Sequence, residues 1–305
     1  MSSPVETNLK RIFYFNVIYS CNSHCVFCYS HNTRYGIKNH NAIPFADFVE
    51  YLNARKISEA DRVIINGGEP LLHQSLNEML QFLLDVGCEV LIYTNGRLLA
   101  EQNFPPLNKN FRFVIPIHGD EKIHDNATRI KGSFKETLRG FDKLASQRDC
   151  LTDLKIIINS EFAKKILRGD SLQFLQEISF NHALQITKMA DTIISKKNNC
   201  SSVEDSVAAL CTAVLVKEFL NRKCPIKIYD TCVKYIAALR GSEIKKYGKE
   251  IIVLFKDKNQ YRKENLHRQQ KLCMNSCPMQ KFCISAVNEY KVLEIDGDFI
   301  GEETE

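Results

Sequence analysis

Cys21, Cys25 and Cys28 stand within eight residues of one another, in CNSHCVFC, at intervals of four and three. Thiolates are soft ligands that suit zinc or iron–sulfur clusters. A disulfide uses two thiols, and a closed structural zinc site uses four ligands. Three thiols wrapped around three corners of a [4Fe–4S] cubane leave one iron uncommitted, an open position where something else can bind. A zinc site completed by a cysteine from elsewhere in the chain is the other reading of this trio.

Three further segments carry side chains able to do chemistry. GGEP, Gly67 to Pro70, combines glycines that let backbone come close to a ligand with Glu69, a carboxylate that can pair with an ammonium. TNG contains Asn95, and HGDEKIHDNATRIKGSF contains His118 and Arg129. Taken singly, each has a plain structural reading: a turn into a helix, a turn, a satisfied histidine at a strand end, and a surface ion pair. A second cysteine trio, Cys273, Cys277 and Cys283, lies near the C-terminus in CMNSCPMQKFC.

The elements that must position these residues alternate. Strands are expected at 12–20, 62–68, 89–96, 111–119, 154–159 and 183–190, several of them apolar at consecutive positions, as strands buried on both faces should be. Between them, PFADFVEYLNARK, SLNEMLQFLLDV and SFKETLRGFDKLA carry apolar residues at three- and four-residue intervals, the helical period. Alternating β and α implies a parallel sheet with right-handed crossovers. Six strands fall short of the eight of a closed barrel, so the expected fold class is α/β, a partial (β/α)6 TIM-like barrel. The thiol trio, GGEP, TNG and HGD all fall just past strand C-terminal ends, where the reactive face of such a barrel lies. After about residue 190 the rhythm changes to one long amphipathic helix, a strand in PIKIYD, and a basic, cysteine-punctuated tail. We place a domain boundary there: 1–195 for the barrel, and 196–305 for a small C-terminal cysteine-rich domain.

The spacing C-x-x-x-C-x-x-C, with Phe27 before the last thiol, resembles the signature of radical S-adenosylmethionine (SAM) enzymes, and the resemblance covers roughly residues 10–190. It implies a [4Fe–4S] cluster on Cys21, Cys25 and Cys28. It also implies a SAM site formed by the backbone around Phe27 for adenine, by Gly67, Gly68, Glu69 and Pro70 for the methionine amino group, by His118 for ribose and by Arg129 for the methionine carboxylate. Asn95 would face the same cavity. The family often has serine where His118 stands. The implied chemistry is one-electron cleavage of SAM to a 5′-deoxyadenosyl radical that takes a hydrogen atom from substrate, with reducing power from a flavodoxin- or ferredoxin-type donor.

The late trio resembles the auxiliary-cluster extensions called SPASM or twitch domains, although its first gap is one residue longer than usual. This implies an auxiliary [4Fe–4S] cluster on Cys273, Cys277, Cys283 and a fourth ligand. Cys232, after the strand in PIKIYD, is preferred over Cys224; substrate could also fill that place, and zinc is the alternative metal. Cys88, Cys150, Cys200 and Cys211 read as small buried apolar residues, with a hydrogen-atom donor among them as the alternative. Radical SAM proteins of this size with one auxiliary domain resemble maturases of ribosomally made peptides, so a precursor peptide crosslinked by a thioether or C–C bond is the leading substrate. Only about eleven residues precede the first strand, so a fused leader-recognition domain is not expected, and leader recognition, where needed, would come from a separate leader-binding protein or from the barrel and basic tail. Other readings are a radical SAM enzyme for a small molecule or RNA, an activating enzyme, and a non-catalytic metal-binding scaffold.

Composition sets the outer bounds. Hydrophobic residues make up 44% of 305, enough for a sizeable core, and a net charge of +5 is too small to argue for nucleic acid. Neither a membrane-spanning apolar run nor a secretory signal is evident, so no membrane partner and a cytoplasmic place are expected, and twelve cysteines there point to metal or redox chemistry.

Overall fold

The computed structural model describes residues 11–28, 42–147, 149–189, 193–198, 200, 202–219, 222 and 224–229, with the backbone of 251–254, 292–294 and 299–301. All six expected strands are present: β1 (Arg11–Ile18), β2 (Arg62–Gly67), β3 (Glu89–Tyr93), β4 (Phe111–Ile117), β5 (Leu151–Ile158) and β6 (Leu184–Lys188). They lie side by side in chain order, every neighbouring pair parallel. Helices α1 (Phe45–Ala54), α2 (Leu76–Val86), α3 (Glu121–Thr128), α4 (Ser133–Ser146), α5 (Ser160–Leu167), α6 (Ile193–Lys197) and α7 (Asp205–Phe219) connect them.

The sheet runs past residue 195. The segment PIKIYD supplies β7 (Ile226–Tyr229), which pairs in parallel with β6, so the sheet gains one strand beyond the expected six. The crossover helix α7 packs on α5, which makes β6–α7–β7 a further β/α unit. On the opposite edge β8 (Ile251–Leu254) lies parallel beside β1, β9 (Val292–Glu294) is parallel to β8, and β10 (Phe299–Gly301) is antiparallel to β9.

One face of each strand is apolar and meets the helices. Phe15, Ile65, Ile92, Ile115 and Ile156 are fully buried there with Phe48 of α1, Leu83 of α2 and Phe141 of α4. The other face turns toward the lumen and is more polar than unbroken apolar strands would give. Near the strand starts, Arg62 and Arg112 converge on Glu89 at 3.1 and 3.4 Å. β5 begins at Leu151, earlier than its apolar run suggests, because the charge of Asp153 is satisfied inside the sheet. Its carboxylate accepts from the Ala183 amide at 3.1 Å and from Gln185 Nε2 at 2.6 Å, and lies 2.5 Å from His182 Nδ1 and 3.7 Å from Lys227 Nζ. Among the described residues no helix is long and apolar enough to cross a membrane.

One helix-to-loop contact fixes the site side of the sheet. Gly140 of α4 lies so close to the loop after β3 that a Cβ there would sit 2.3 Å from the Gly96 carbonyl oxygen and 3.1 Å from Leu99 Cβ. Alanine would favour the helix by about 1 kcal/mol, but backbone cannot retreat as a flexible side chain can, and overpacking costs about 1–3 kcal/mol. Gly140→Ala is therefore expected to lower the thermal unfolding midpoint; a midpoint equal to or above the parent would contradict this packing.

Candidate cofactor site

The thiol loop leaves β1 and docks on the end of α3. The His24 amide donates to the Thr128 carbonyl at 3.0 Å and the Val26 amide to the Ala127 carbonyl at 2.9 Å. These are among the last carbonyls of α3, which have no partner within the helix. A turn follows, with Cys28 N donating to Cys25 O at 3.2 Å. Cys21, Cys25 and Cys28 are all half-buried.

GGEP packs against the chain entering this loop. Gly68 N donates to Ile18 O at 2.7 Å and Glu69 N to Ser20 O at 2.8 Å. A Cβ on Gly68 would fall 2.1 Å from the Ser20 oxygen, and Gly67 has φ of +140° with Ile18 O 2.2 Å from where its Cβ would be. Among the described residues, the close approach that the glycines permit is thus to the protein's own backbone.

Glu69 is fully buried. Its Oε1 accepts from the Thr94 hydroxyl at 2.6 Å and the Leu71 amide at 3.1 Å, while Oε2 accepts from the Asn95 amide at 2.8 Å. Burial pushes its pKa up, opposed by these three hydrogen bonds. The carboxylate therefore ties GGEP to the end of β3. Asn95 in turn reaches the thiol loop: its Nδ2 donates to Asn22 Oδ1 at 2.7 Å and lies 3.9 Å from Cys21 Sγ. Pro70 is buried at the start of a short 3-10 turn.

His118 follows β4 and is 3% exposed. Its ring lies edge-on to Phe27 at 4.9 Å and stacks on His124 at 5.0 Å. Among the described residues its Nδ1 has no hydrogen-bond partner. Burial, then the nearby His124 and Lys155, holds its pKa well below the usual histidine value, so the ring is neutral. Its carbonyl accepts from Asn159 Nδ2 at 2.8 Å, and the same Asn159 caps α5 through the Phe162 amide at 2.9 Å. Arg129 ends α3 in the left-handed region, φ +59°, and its guanidinium donates to Asn198 Oδ1. Asn198 Nδ2 donates to Val26 O at 2.9 Å, so Arg129 reaches the thiol loop through Asn198. A cavity of about 380 Å³ opens beside Val26 and Phe27, bordered also by Asn126, Asn159, Lys165 and Cys200.

The structure thus brings Cys21, Cys25, Cys28, Phe27, Gly67, Gly68, Glu69, Asn95, His118 and Arg129 to one end of the sheet. Cys232, Cys273, Cys277 and Cys283 lie outside the described residues. Cys88, Cys150 and Cys211 are buried as expected, and burial pushes the thiols of Cys150 and Cys211 up to about 11. Cys200 is a correction: it is half-buried and borders the cavity, its Sγ 3.7 Å from Met189 Sδ, because it follows the short α6 instead of lying inside an element. Sequence reasoning missed Arg97, which bonds Asn22 O and Ser23 Oγ and pairs with Glu136 at 2.5 Å, bracing the thiol loop. Its only signal was adjacency, in TNGR.

The donors present fit an iron–sulfur cluster and a SAM molecule. The Ser23 amide lies 3.4 Å from Cys21 Sγ, and such N–H donors stabilise a thiolate and tune a cluster. Among the described residues no three His, Cys, Asp or Glu side chains converge on a single ion; thiols on a cubane bind three separate irons and need not converge. The buried Nδ1 of His118 and the cavity beside Phe27 offer an unanswered polar atom and room for a nucleoside.

A Glu69→Gln change tests this construction. In either amide orientation an NH2 would face a donor, Thr94 and Leu71 on one side or Asn95 on the other. Thermal unfolding should register a loss of about 1–3 kcal/mol; parent-like stability would mean that Glu69 does not tie the two loops.

Comparison with known proteins follows the same lines. Residues 15–157 match the Radical SAM superfamily. The AdoMet-dependent heme synthase of Methanosarcina barkeri (strain Fusaro / DSM 804) is 27% identical over 169 residues, 53% of this chain and 45% of that protein. The GTP 3′,8-cyclase of Helicobacter pylori (strain HPAG1) is 27% identical over 175 residues, 56% of this chain and 52% of that protein. The chain spans about half the length of these curated relatives. Streptococcus suis SuiB bound to S-adenosylmethionine superimposes with a TM-score of 0.56 at 13% identity, covering 80% of this chain and 58% of that one. Histidine-tagged anSMEcpe with bound AdoMet gives 0.53 at 14%, covering 72% and 61%. These two likenesses establish the fold. The matched span, residues 15–157, carries the three thiols, GGEP, Asn95, His118 and Arg129, so the site lies within the part of the chain that is similar to the Radical SAM superfamily.

Proposed function

We propose that this protein is a radical SAM enzyme that abstracts hydrogen from a ribosomally made peptide and leaves it oxidatively crosslinked, by a thioether or C–C bond. The observation that carries the enzyme reading is the thiol trio set at the strand ends of the span that matches the Radical SAM superfamily. Bound here, the cluster and SAM supply one-electron cleavage of the sulfonium and hence hydrogen-atom abstraction. Cys21, Cys25 and Cys28 hold the cluster. Gly67 to Pro70, Asn95, His118, Arg129 and the backbone around Phe27 hold the cofactor and keep water from it.

Peptide as substrate is supported by the fold neighbours: SuiB is known bound to precursor peptide SuiA, and anSMEcpe with bound AdoMet and Kp18Cys peptide. A small-molecule substrate is the second reading, favoured by curated relatives named for heme synthesis and GTP cyclisation. In the peptide reading, the residues after β7 form a SPASM- or twitch-like region in which Cys273, Cys277, Cys283 and Cys232 hold an auxiliary [4Fe–4S] cluster, the acceptor for the electron that a crosslink releases. A precursor peptide, a low-potential flavodoxin- or ferredoxin-type donor and a separate leader-binding protein are its partners, in the cytoplasm.

Anaerobically reconstituted protein with a chemical reductant should cleave SAM to 5′-deoxyadenosine. Cys28→Ala should abolish cleavage, at least about a hundredfold, since metal and cofactor share the site; retained cleavage would refute the assignment. Cys277→Ala should leave cleavage measurable and block crosslinked product, read by the loss of two hydrogens in mass spectrometry. Equal product yield from this variant would remove the late cluster from the reaction.

A further inference from the structure

Two exposed basic segments meet at the thiol loop, and three of their cations have no part in the cofactor site. Asn198, just after α6, donates through Nδ2 to Val26 O at 2.9 Å and accepts from the Arg129 guanidinium through Oδ1. The turn that carries Asn198 is fixed by two amides, Asn198 N and Cys200 N, which donate to the Ser195 carbonyl at 3.2 and 2.9 Å. Lys196 and Lys197, in the last turn of α6, stand immediately before it and are exposed. On the other segment Lys131 lies two residues beyond Arg129 and is exposed as well. The chain advances at most about 3.6 Å per residue, so the backbone of all three lysines is held near the Arg129–Asn198–Val26 contact.

These charges are left unanswered. Among the described residues none of Lys131, Lys196 and Lys197 stands in an ion pair. The two acids nearest Lys131 in sequence are committed elsewhere. Asp125 accepts from the Gly132 and Phe134 amides and the Ser133 hydroxyl, and Glu136 pairs with Arg97 at 2.5 Å. On and just after the neighbouring α5, by contrast, Lys164 is matched by Glu161, Lys165 by Asp120 and Arg168 by Asp170. A patch of one sign raises the local concentration of a partner of the other sign and speeds their encounter. Interfaces between electron-transfer partners are small, so a few charges suffice to orient them.

We infer that Lys131, Lys196 and Lys197 form the docking surface on which an acidic one-electron donor protein is seated against the thiol loop. This rests on the reading of Cys21, Cys25 and Cys28 as cluster ligands. Electron transfer falls steeply with distance. Val26, whose carbonyl Asn198 holds, is one residue from Cys25 and two from Cys28, so a partner seated here approaches the ligands themselves. A substrate must bring its reacting carbon into the site, whereas a donor needs only nearness to the cluster ligands, which is what this surface supplies. In the step, the flavin hydroquinone anion of a flavodoxin loses one electron and becomes the neutral semiquinone. No proton moves and no bond is made or broken; the electron lowers the cluster's charge by one.

Binding of an oxidised acidic flavodoxin to the full reconstituted chain is to be measured by calorimetric titration at low and high salt. Stopped flow then gives the rate at which flavodoxin hydroquinone bleaches the cluster, and the rate with photoreduced 5-deazariboflavin, a small uncharged reductant. Between about 20 and about 200 mM salt the parent should lose about tenfold in flavodoxin affinity. The triple variant Lys131→Glu, Lys196→Glu, Lys197→Glu should lose about tenfold in affinity and in flavodoxin-driven rate at low salt. Its rate with 5-deazariboflavin and its circular dichroism should match the parent. A control with the same change of net charge replaces Lys109, before β4, Lys143, near the end of α4, and Lys217, near the end of α7, by Glu; it should keep most of the flavodoxin rate. Parent-like flavodoxin binding and rate in the patch variant, an equal loss in the control, or a loss shared by 5-deazariboflavin would each overturn the proposal. So would loss of an acidic peptide of alternating Glu and Gly from the variant with flavodoxin rates unchanged, which would give the patch to a peptide. Failure of 5-deazariboflavin to bleach the parent would show that no reducible cluster is held, and would take the enzyme reading and this proposal down together. Bleaching by 5-deazariboflavin with a flavodoxin rate indifferent to the patch overturns the docking surface alone.

Discussion

Two amides of the thiol loop, His24 N and Val26 N, donate to carbonyls that the end of α3 leaves open, and the rest of the site depends on those bonds. Each contributes about 1 kcal/mol net, yet leaving such groups buried and unmade would cost more. The loop is thereby fixed to a helix end and not to a side-chain core, so the thiols stay at the surface of the sheet where a cluster can reach them. Whatever sets α3 sets the loop. Asp120 caps its first turn by accepting from the Ile123 amide at 3.0 Å, and Asp125 holds the turn into α4 through the Gly132 and Phe134 amides. Arg129, Asn198 and Arg97 brace the loop from its two sides.

The same economy explains the glycines and Glu69. Backbone-to-backbone bonds between GGEP and residues 18–20 leave no room for a Cβ, and one buried carboxylate then collects donors from GGEP and from the loop after β3. Three strand ends become one rigid rim. Below it the lumen is layered by charge: a floor of mutually satisfied ion pairs at the strand starts, then Lys155 against Tyr93, then the neutral His118 beside Phe27.

Much of this was legible in the residues themselves. All six expected strands are present because β-branched runs separated by helical periods leave little choice of fold, and thiol spacing is a local property that folding does not rearrange. What escaped was of a different kind. β7 reads as part of the later region because the β/α rhythm changes after about residue 190, to one long helix and a basic, cysteine-punctuated tail. Asp153 hid the start of β5, since a charge looks like a strand boundary until its partners on β6 and β7 are known. Glu69 reads as a ligand for an ammonium; the hydrogen bonds by which it also ties GGEP to Thr94 and Asn95, some twenty-five positions away in sequence, were not legible. Arg97 and Lys155 carry no motif; only the packing of neighbouring strands reveals what they face.

The account stands or falls on what the N-terminal thiols bind. Metal analysis of anaerobically purified protein in which Cys273, Cys277 and Cys283 are all replaced by alanine isolates that site. About four irons and four sulfides per chain, with no zinc, are expected from a cubane on Cys21, Cys25 and Cys28. Stoichiometric zinc without iron would make the loop a structural clip and remove the radical chemistry built upon it.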